Sequence, residues 1–170
     1  MGHEETPPSR GLTGFPWPWA IVSALLFGAM AIQASPLRPP VVALQFVYTR
    51  RCFSDVLTAW GEGRERFFTH FAFDFPFLLS YGVFGYLLAT RTLLAASLPT
   101  ALRPAFRWLL PVAAAADALE NLLEIHLAGH LATAPDCLFL AAGLVSAGKW
   151  LLIAAFAAAG AIGFRRLGHR

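Results

Sequence analysis

Four long apolar segments constrain the fold of this 170-residue chain more than any other feature. A helix needs about 20 consecutive apolar residues to cross the hydrocarbon core of a bilayer. The four segments meet that length, and they run over 15–34, 67–90, 106–127 and 137–164. Charged residues make up only 14% of the chain, whereas a typical soluble domain carries roughly 25%. The sequence therefore predicts an all-α integral membrane protein, a four-transmembrane-helix up-down bundle.

The domain organisation follows from these segments. We expect a polar N-terminal tail over 1–14, a single four-helix membrane domain over 15–165 and a basic C-terminal tail over 166–170. Counting arginines places seven on the side of the two tails and the second link, and five on the other side. Because arginine and lysine accumulate in cytoplasmic loops, this favours both termini in the cytoplasm, in a bacterial inner membrane.

The first segment has an alternative interpretation as a cleaved signal peptide. Ala29-Met30-Ala31 resembles a signal-peptidase site. Against this, Glu4 and Glu5 remove the positive charge that a signal peptide carries before its apolar stretch. We therefore retain the segment as a membrane helix.

The link over 36–66 is the only long one, and its second half has a helical pattern. Apolar residues recur at spacings of three and four, at Phe53, Val56, Leu57 and Trp60. Ser54 or Thr49 is suited to cap such a helix and Gly61 to end it. We predict a short interfacial amphipathic helix that lies on the membrane or over the bundle mouth. The alternative is an ordered loop in which these apolar residues are incidental.

Ionisable residues inside the apolar segments are the second unusual feature. A charge at the centre of a membrane helix costs about 2.5–3.5 kcal/mol on the insertion scale, and such residues usually face the bundle interior or a cavity. In the second segment the ionisable and polar residues fall within about 40° around the helix axis, and in the third segment they fall within about 100°. We call the following set the polar ladder: His70, Asp74, Tyr81, Asp117, Glu120, Asn121, Glu124 and Lys149.

Depth along the helices, at about 1.5 Å per residue, predicts how the ladder pairs. The expected rungs are His70 with Glu124, Asp74 with Asn121 or Glu120, and Lys149 with Asp117. The ladder holds four carboxyl groups and one lysine, the only lysine in the chain. Since a buried charge needs a partner, we expect one or two carboxyls to be protonated, unless a metal or a cationic ligand supplies the missing charge.

The ladder admits more than one function. The leading hypothesis is a protein that binds a lipophilic small molecule or membrane lipid between its helices, with acid/base chemistry on that ligand as an open question. His70 and Asp74 are the candidate catalytic acid and base. The candidate ligand-binding residues are Tyr81, Asp117, Glu120, Asn121, Glu124 and Lys149. An oligomeric proton-coupled transporter or proton path is one alternative, and a structural or assembly subunit held together by polar pairs is another.

The sequence gives only weak indications of other kinds of functional site. No cofactor motif is present, and no basic stretch is dense enough for a nucleic-acid footprint. His126 and His130, at helical spacing, are more typical of a helix surface than of a metal site, and no metal is predicted. Cys52 and Cys137 fall in links on the same side, so they are either disulfide-bonded or two unrelated thiols.

The fourth segment contains two pairs of small residues at a spacing of four, Gly143 with Ala147 and Ala159 with Gly163. Such pairs allow close approach of a neighbouring helix. They predict packing within the bundle or a homo-oligomer formed through this face, and alanine enrichment alone is the other interpretation.

The layout resembles the EXPERA superfamily of emopamil-binding proteins, sterol isomerases and their relatives. The shared features are four apolar segments, a long link after the first, and His70-x-x-x-Asp74 followed by a Phe/Pro/Leu stretch and Tyr81. The resemblance implies a pocket for a lipophilic ligand in which the histidine and the carboxylate of the second helix act on that ligand. The region from Trp60 to Asn121 also resembles uncharacterised bacterial four-helix membrane proteins.

Overall fold

The computed structural model describes residues 14–168, and every regular element in that range is helical. The first 13 residues and the last two, which belong to the predicted tails, lie outside the described residues. The α-helices are α1 (Trp17–Ala34), α2 (Arg50–Trp60), α3 (Arg64–Arg91), α4 (Leu93–Ala96), α5 (Arg103–Gly129) and α6 (Asp136–Gly168). The four predicted segments correspond to α1, α3, α5 and α6.

Three helical stretches are long and apolar enough to cross a membrane, which identifies the chain as a candidate membrane protein. They are Trp17–Ala34, the stretch Arg50–Arg91 that joins α2 to α3, and Asp136–Gly168. The long helix α5 is not among them. Its carboxyl groups at Asp117, Glu120 and Glu124 explain this, because each one reduces the apolar character of the helix.

The long helices pack in chain order, with α1 against α3, α3 against α5, and α5 against α6. Helix α1 is peripheral and has no buried residue, although Ser23 forms a hydrogen bond of 2.9 Å with Ser80 of α3. Helix α5 lies between α3 and α6. Its two sides therefore bring side chains of α3 and α6 to one shared partner helix.

Helix α2 confirms the predicted amphipathic segment. Thr49 is its N-cap and accepts a hydrogen bond from the backbone N–H of Cys52, and Gly61, with φ of 50°, is its C-cap. The residues predicted to face inward do so: Phe53, Leu57 and Trp60 are buried in one apolar cluster with residues of α3, α5 and α6. Helix α2 thus covers the end of the bundle at which α5 ends and α6 begins.

Arg50 fastens this cover to the loop between α5 and α6. Its guanidinium forms an ion pair of 2.9 Å with Asp136 and donates to the carbonyl oxygens of Leu131, at 2.5 Å, and of Ala134. Arg64 similarly donates to the carbonyl of Ala128 near the end of α5. Charged-group hydrogen bonds of this kind are among the stronger ones in proteins, so the loop and α2 are joined firmly.

The two cysteines are not bonded to each other. Cys52 and Cys137 are both free and both exposed. The disulfide alternative is therefore wrong for this structure, and the chain fixes α2 over the bundle through Arg50 and the apolar cluster instead.

The small residues of α6 allow close contacts within the chain. A Cβ at Gly143 would collide with the ring of Tyr48, and one at Gly163 would lie 2.9 Å from both the carbonyl oxygen of Leu94 and Oγ of Ser97. These glycines therefore pack inside the chain. A homo-oligomer through the same helix stays a prediction.

Candidate functional site: a buried polar ladder

The polar face of α5 is buried between its neighbours. Four consecutive polar positions have relative exposures of 7%, 1%, 4% and 4%, in the order Asp117, Glu120, Asn121 and Glu124. Their spacing of three or four residues places them on one side of the helix. In contrast, Leu119 and Leu122 on the other faces are about half exposed, at 49% and 57%, as expected for a helix whose outer surface meets an apolar environment.

Lys149 of α6 joins two of these carboxylates. Its Nζ lies 2.8 Å from Oδ1 of Asp117 and 2.6 Å from Oε2 of Glu120. The predicted pairing of Lys149 with Asp117 is confirmed, and Glu120 is a second partner that the depth argument did not assign to it. The lysine side chain is only 2% exposed, so its charge is neutralised by these two groups and not by solvent.

Helix α3 contributes two further contacts with α5, of which only the first was predicted as a rung. Asn121 donates from Nδ2 to Oδ2 of Asp74 at 2.5 Å, which confirms that rung. Tyr81 donates from its hydroxyl to Oδ2 of Asp117 at 3.1 Å. Asp117 therefore accepts hydrogen bonds from one side chain of α3 and one of α6, and so it links the three helices.

Ser146 is a member of the network that sequence reasoning missed. It is completely buried and donates to Oε1 of Glu120 at 3.1 Å. A signal was present, because Ser146 lies three residues before Lys149 and therefore shares its face of α6. It was overlooked because an uncharged serine is common in membrane helices, where it often bonds to its own backbone.

The predicted rung between His70 and Glu124 is wrong: no hydrogen bond or ion pair joins them. One turn beyond the Asp74–Asn121 rung, the seam between α3 and α5 is filled by Phe67 and Phe71, which are buried in the cluster under α2. His70 lies beside that seam and is only partly buried, and its Nδ1 has no partner among residues 14–168.

Like His70, Glu124 forms no hydrogen bond with another ladder residue among the described residues. Its side chain is buried, and no described residue forms a hydrogen bond or an ion pair with its carboxyl group. It lies one turn from Asn121, toward the apolar cluster that α2 covers. The ladder as a whole has four carboxyl groups and one lysine, so the groups present do not balance one another if all are ionised.

Neither of two surface cavities is lined by ladder residues. A cleft of about 720 Å³ lies at the α2 end, between Thr49, Arg51 and Asp136. A groove of about 350 Å³ lies on the outer side of the α3–α5 seam.

The histidines at the end of α5 do not assemble a metal site. The rings of His126 and His130 are stacked with centroids 4.5 Å apart, and Asp136 is engaged by Arg50. In the part of the chain that the structure describes, no group of three or more histidine, cysteine or acidic side chains is placed to hold a metal ion.

Fold and site together define an all-helical protein with three candidate membrane-spanning helices and a buried network of charged side chains. Comparison with known proteins does not narrow this class: no protein-family model, no curated protein and no solved structure matches the chain.

Proposed function

We propose that this chain is an integral membrane protein that crosses the bilayer with α1, α3, α5 and α6, and that it binds a lipophilic molecule carrying a basic group at the polar ladder. Glu124 is the carboxylate that pairs with this group. The proposal rests on one observation: the carboxyl group of Glu124 is buried and has no partner among the described residues.

The physical argument is one of charge. A buried charge is costly unless it is paired, and intramembrane acidic residues usually mark a ligand site, an ion path or a partner. Lys149 already engages Asp117 and Glu120, and Asn121 engages Asp74. A ligand amine near Glu124 would supply the positive charge that this end of the ladder lacks.

Access to Glu124 is the second step of the proposal. The carboxyl lies below the apolar cluster of α2, so that a lipophilic ligand would enter by displacing part of this cover or by separating α5 from one of its neighbours, α3 or α6. The resemblance to the EXPERA superfamily agrees with such a site. Acid/base chemistry by His70 and Asp74 on a bound ligand belongs to the same proposal, as does a bacterial inner membrane with both termini in the cytoplasm.

The test uses the purified full-length protein in detergent and two probes, dodecyldimethylamine and the neutral dodecanol. We expect the amine, and not the alcohol, to raise the melting temperature and to bind saturably. Glu124→Gln should weaken amine binding about 30-fold or more, because truncating one side of a buried charge pair costs about 2–5 kcal/mol. Glu65→Gln is the matched control, since Glu65 is an exposed carboxyl on α3.

A proton path is the second candidate, and the line of carboxyl groups favours it. Asp117, Glu120 and Glu124 follow one another at about one turn each along α5, with Asp74 alongside. If amine and alcohol act alike, the binding proposal fails. Proton flux into proteoliposomes that is lost in Glu124→Gln would then support the path. Absence of both effects would leave the ladder a structural feature that holds α3, α5 and α6 together.

A further inference from the structure

We propose that the groove between α3 and α5 holds the acyl chain of an anionic phospholipid whose headgroup contacts Arg107. The groove has a volume of about 350 Å³ and almost entirely apolar walls, formed by Leu79, Gly82, Val83, Tyr86, Trp108 and Pro111. It lies on the side of the seam opposite the ladder, so this site is separate from the one proposed above. It depends on the proposed function only in requiring α5 to lie in the bilayer beside α3.

The shape of the groove comes from two residues that keep the helices close. A Cβ at Gly82 would lie 3.1 Å from Cβ of Ala114, so α3 and α5 approach closely there. From Leu78 to Tyr86 the groove extends over nine residues of α3, about 12 Å along the helix axis. A narrow apolar channel of this length suits an extended hydrocarbon chain.

The charge at one end of the groove identifies the headgroup. Arg107 lies four residues before Pro111 and seven before Ala114, so it shares the face of α5 that lines the groove. It is exposed and forms no ion pair with any residue of the described range. The rings of Tyr86 and Trp108, with centroids 5.4 Å apart, lie at the same end, and aromatic residues at this depth are typical of the membrane interface.

The surroundings of Arg107 are uniformly basic. The end of the molecule formed by the C-terminus of α3 and the N-terminus of α5 also carries Arg91, Arg103 and the arginines at the end of α6. No acidic residue occurs in 75–116 or in 137–168, so nothing described there competes for Arg107. Basic positions beside an apolar groove between membrane helices bind anionic lipid headgroups, and a zwitterionic headgroup lacks the net charge to do so.

The experiment measures lipid retained by the full-length protein, using native mass spectrometry from detergent with phosphatidylglycerol and phosphatidylcholine of identical acyl chains. We expect phosphatidylglycerol to be retained selectively. Arg107→Gln should weaken its binding about fivefold, the contribution of one basic residue near a charged headgroup. Arg51→Gln is the matched control, because Arg51 is an exposed arginine on α2, at the other end of the bundle from the groove's aromatic end.

A substitution that fills the groove tests separately whether the groove holds an acyl chain. Leu79 is 67% exposed, so Leu79→Trp should leave the fold intact, place a ring in the groove and reduce retention of both lipids. Equal retention of the two lipids, an equal loss in Arg51→Gln, or no effect of Leu79→Trp would each overturn the proposal. None of these results bears on amine binding at Glu124, so the two proposals fail independently.

Discussion

Replacing Lys149 by methionine is the sharpest test of the ladder. The substitution keeps most of the apolar side chain and removes the ammonium group that lies 2.8 Å from Asp117 and 2.6 Å from Glu120. Both carboxyls remain buried, with side-chain exposures of 9% and 1%. Removing one partner of a buried ion pair costs about 3–5 kcal/mol, because the other charge is left without compensation. We expect a loss of that size in the free energy of unfolding.

The size of the loss in the free energy of unfolding distinguishes two roles for Lys149. An ordinary hydrogen bond between membrane helices contributes about 0.6 kcal/mol on average, so a loss near that value would mean that Lys149 acts as a simple donor. The assay is unfolding in mixed detergent micelles with a denaturing detergent, followed by circular dichroism. Arg166→Met is the control, since removal of an exposed cation should change stability by less than about 0.5 kcal/mol.

Compensating changes complete the test. If stability is lost because Asp117 and Glu120 are left as unpaired buried carboxylates, replacing them with neutral residues should restore stability. Lys149→Met with Asp117→Asn should recover part of it, and the further addition of Glu120→Gln should recover most. A single variant as stable as the wild type, or a triple variant no better than the single one, would refute the reasoning.

Two further predictions concern the ladder and its cover. Asn121→Leu should lower the free energy of unfolding by about 1–3 kcal/mol, because it leaves the buried Asp74 carboxyl without its donor; an Asn121→Leu/Asp74→Leu double variant should recover part of this loss in the same unfolding assay. Thr49→Ala removes the cap of α2 and should cost about 1 kcal/mol, whereas Thr49→Ser should be nearly neutral; faster hydrogen exchange confined to residues 50–60 would locate the effect in α2.

Much of the helical architecture was predictable because it depends on local patterns. The apolar segments predicted the four long helices, and the i, i+3, i+4 spacing from Phe53 to Trp60 predicted α2 with its caps. The boundaries were less accurate, since α3 begins at Arg64 and α5 at Arg103. Both arginines extend their helices by donating to backbone carbonyls of other segments, Arg64 to Ala128 and Arg103 to Ala96, and hydropathy does not report such contacts.

The site was predictable only in part, for a geometric reason. Helical periodicity gives the face on which a residue lies, and this sufficed for Lys149 with Asp117 and for Asp74 with Asn121. Periodicity does not show which face of the neighbouring helix that residue contacts. His70 shares a stripe with Asp74, yet at its level the seam between α3 and α5 is filled by aromatic rings, and its Nδ1 has no hydrogen-bond partner among the described residues.

The composition of α5 and its central position have one physical explanation. Three carboxyl groups at about 2.5–3.5 kcal/mol each would cost an isolated α5 about 8–10 kcal/mol on entering a bilayer. If α5 crosses the membrane as proposed, this cost has to be offset by partners, and the structure supplies them for Asp117 and Glu120, through Tyr81 of α3 and through Lys149 and Ser146 of α6. The only lysine of the chain is on the last helix. We therefore expect α5 to be stable in the membrane only after α6 has joined it, which explains why the most polar long helix is also the one enclosed by the other two.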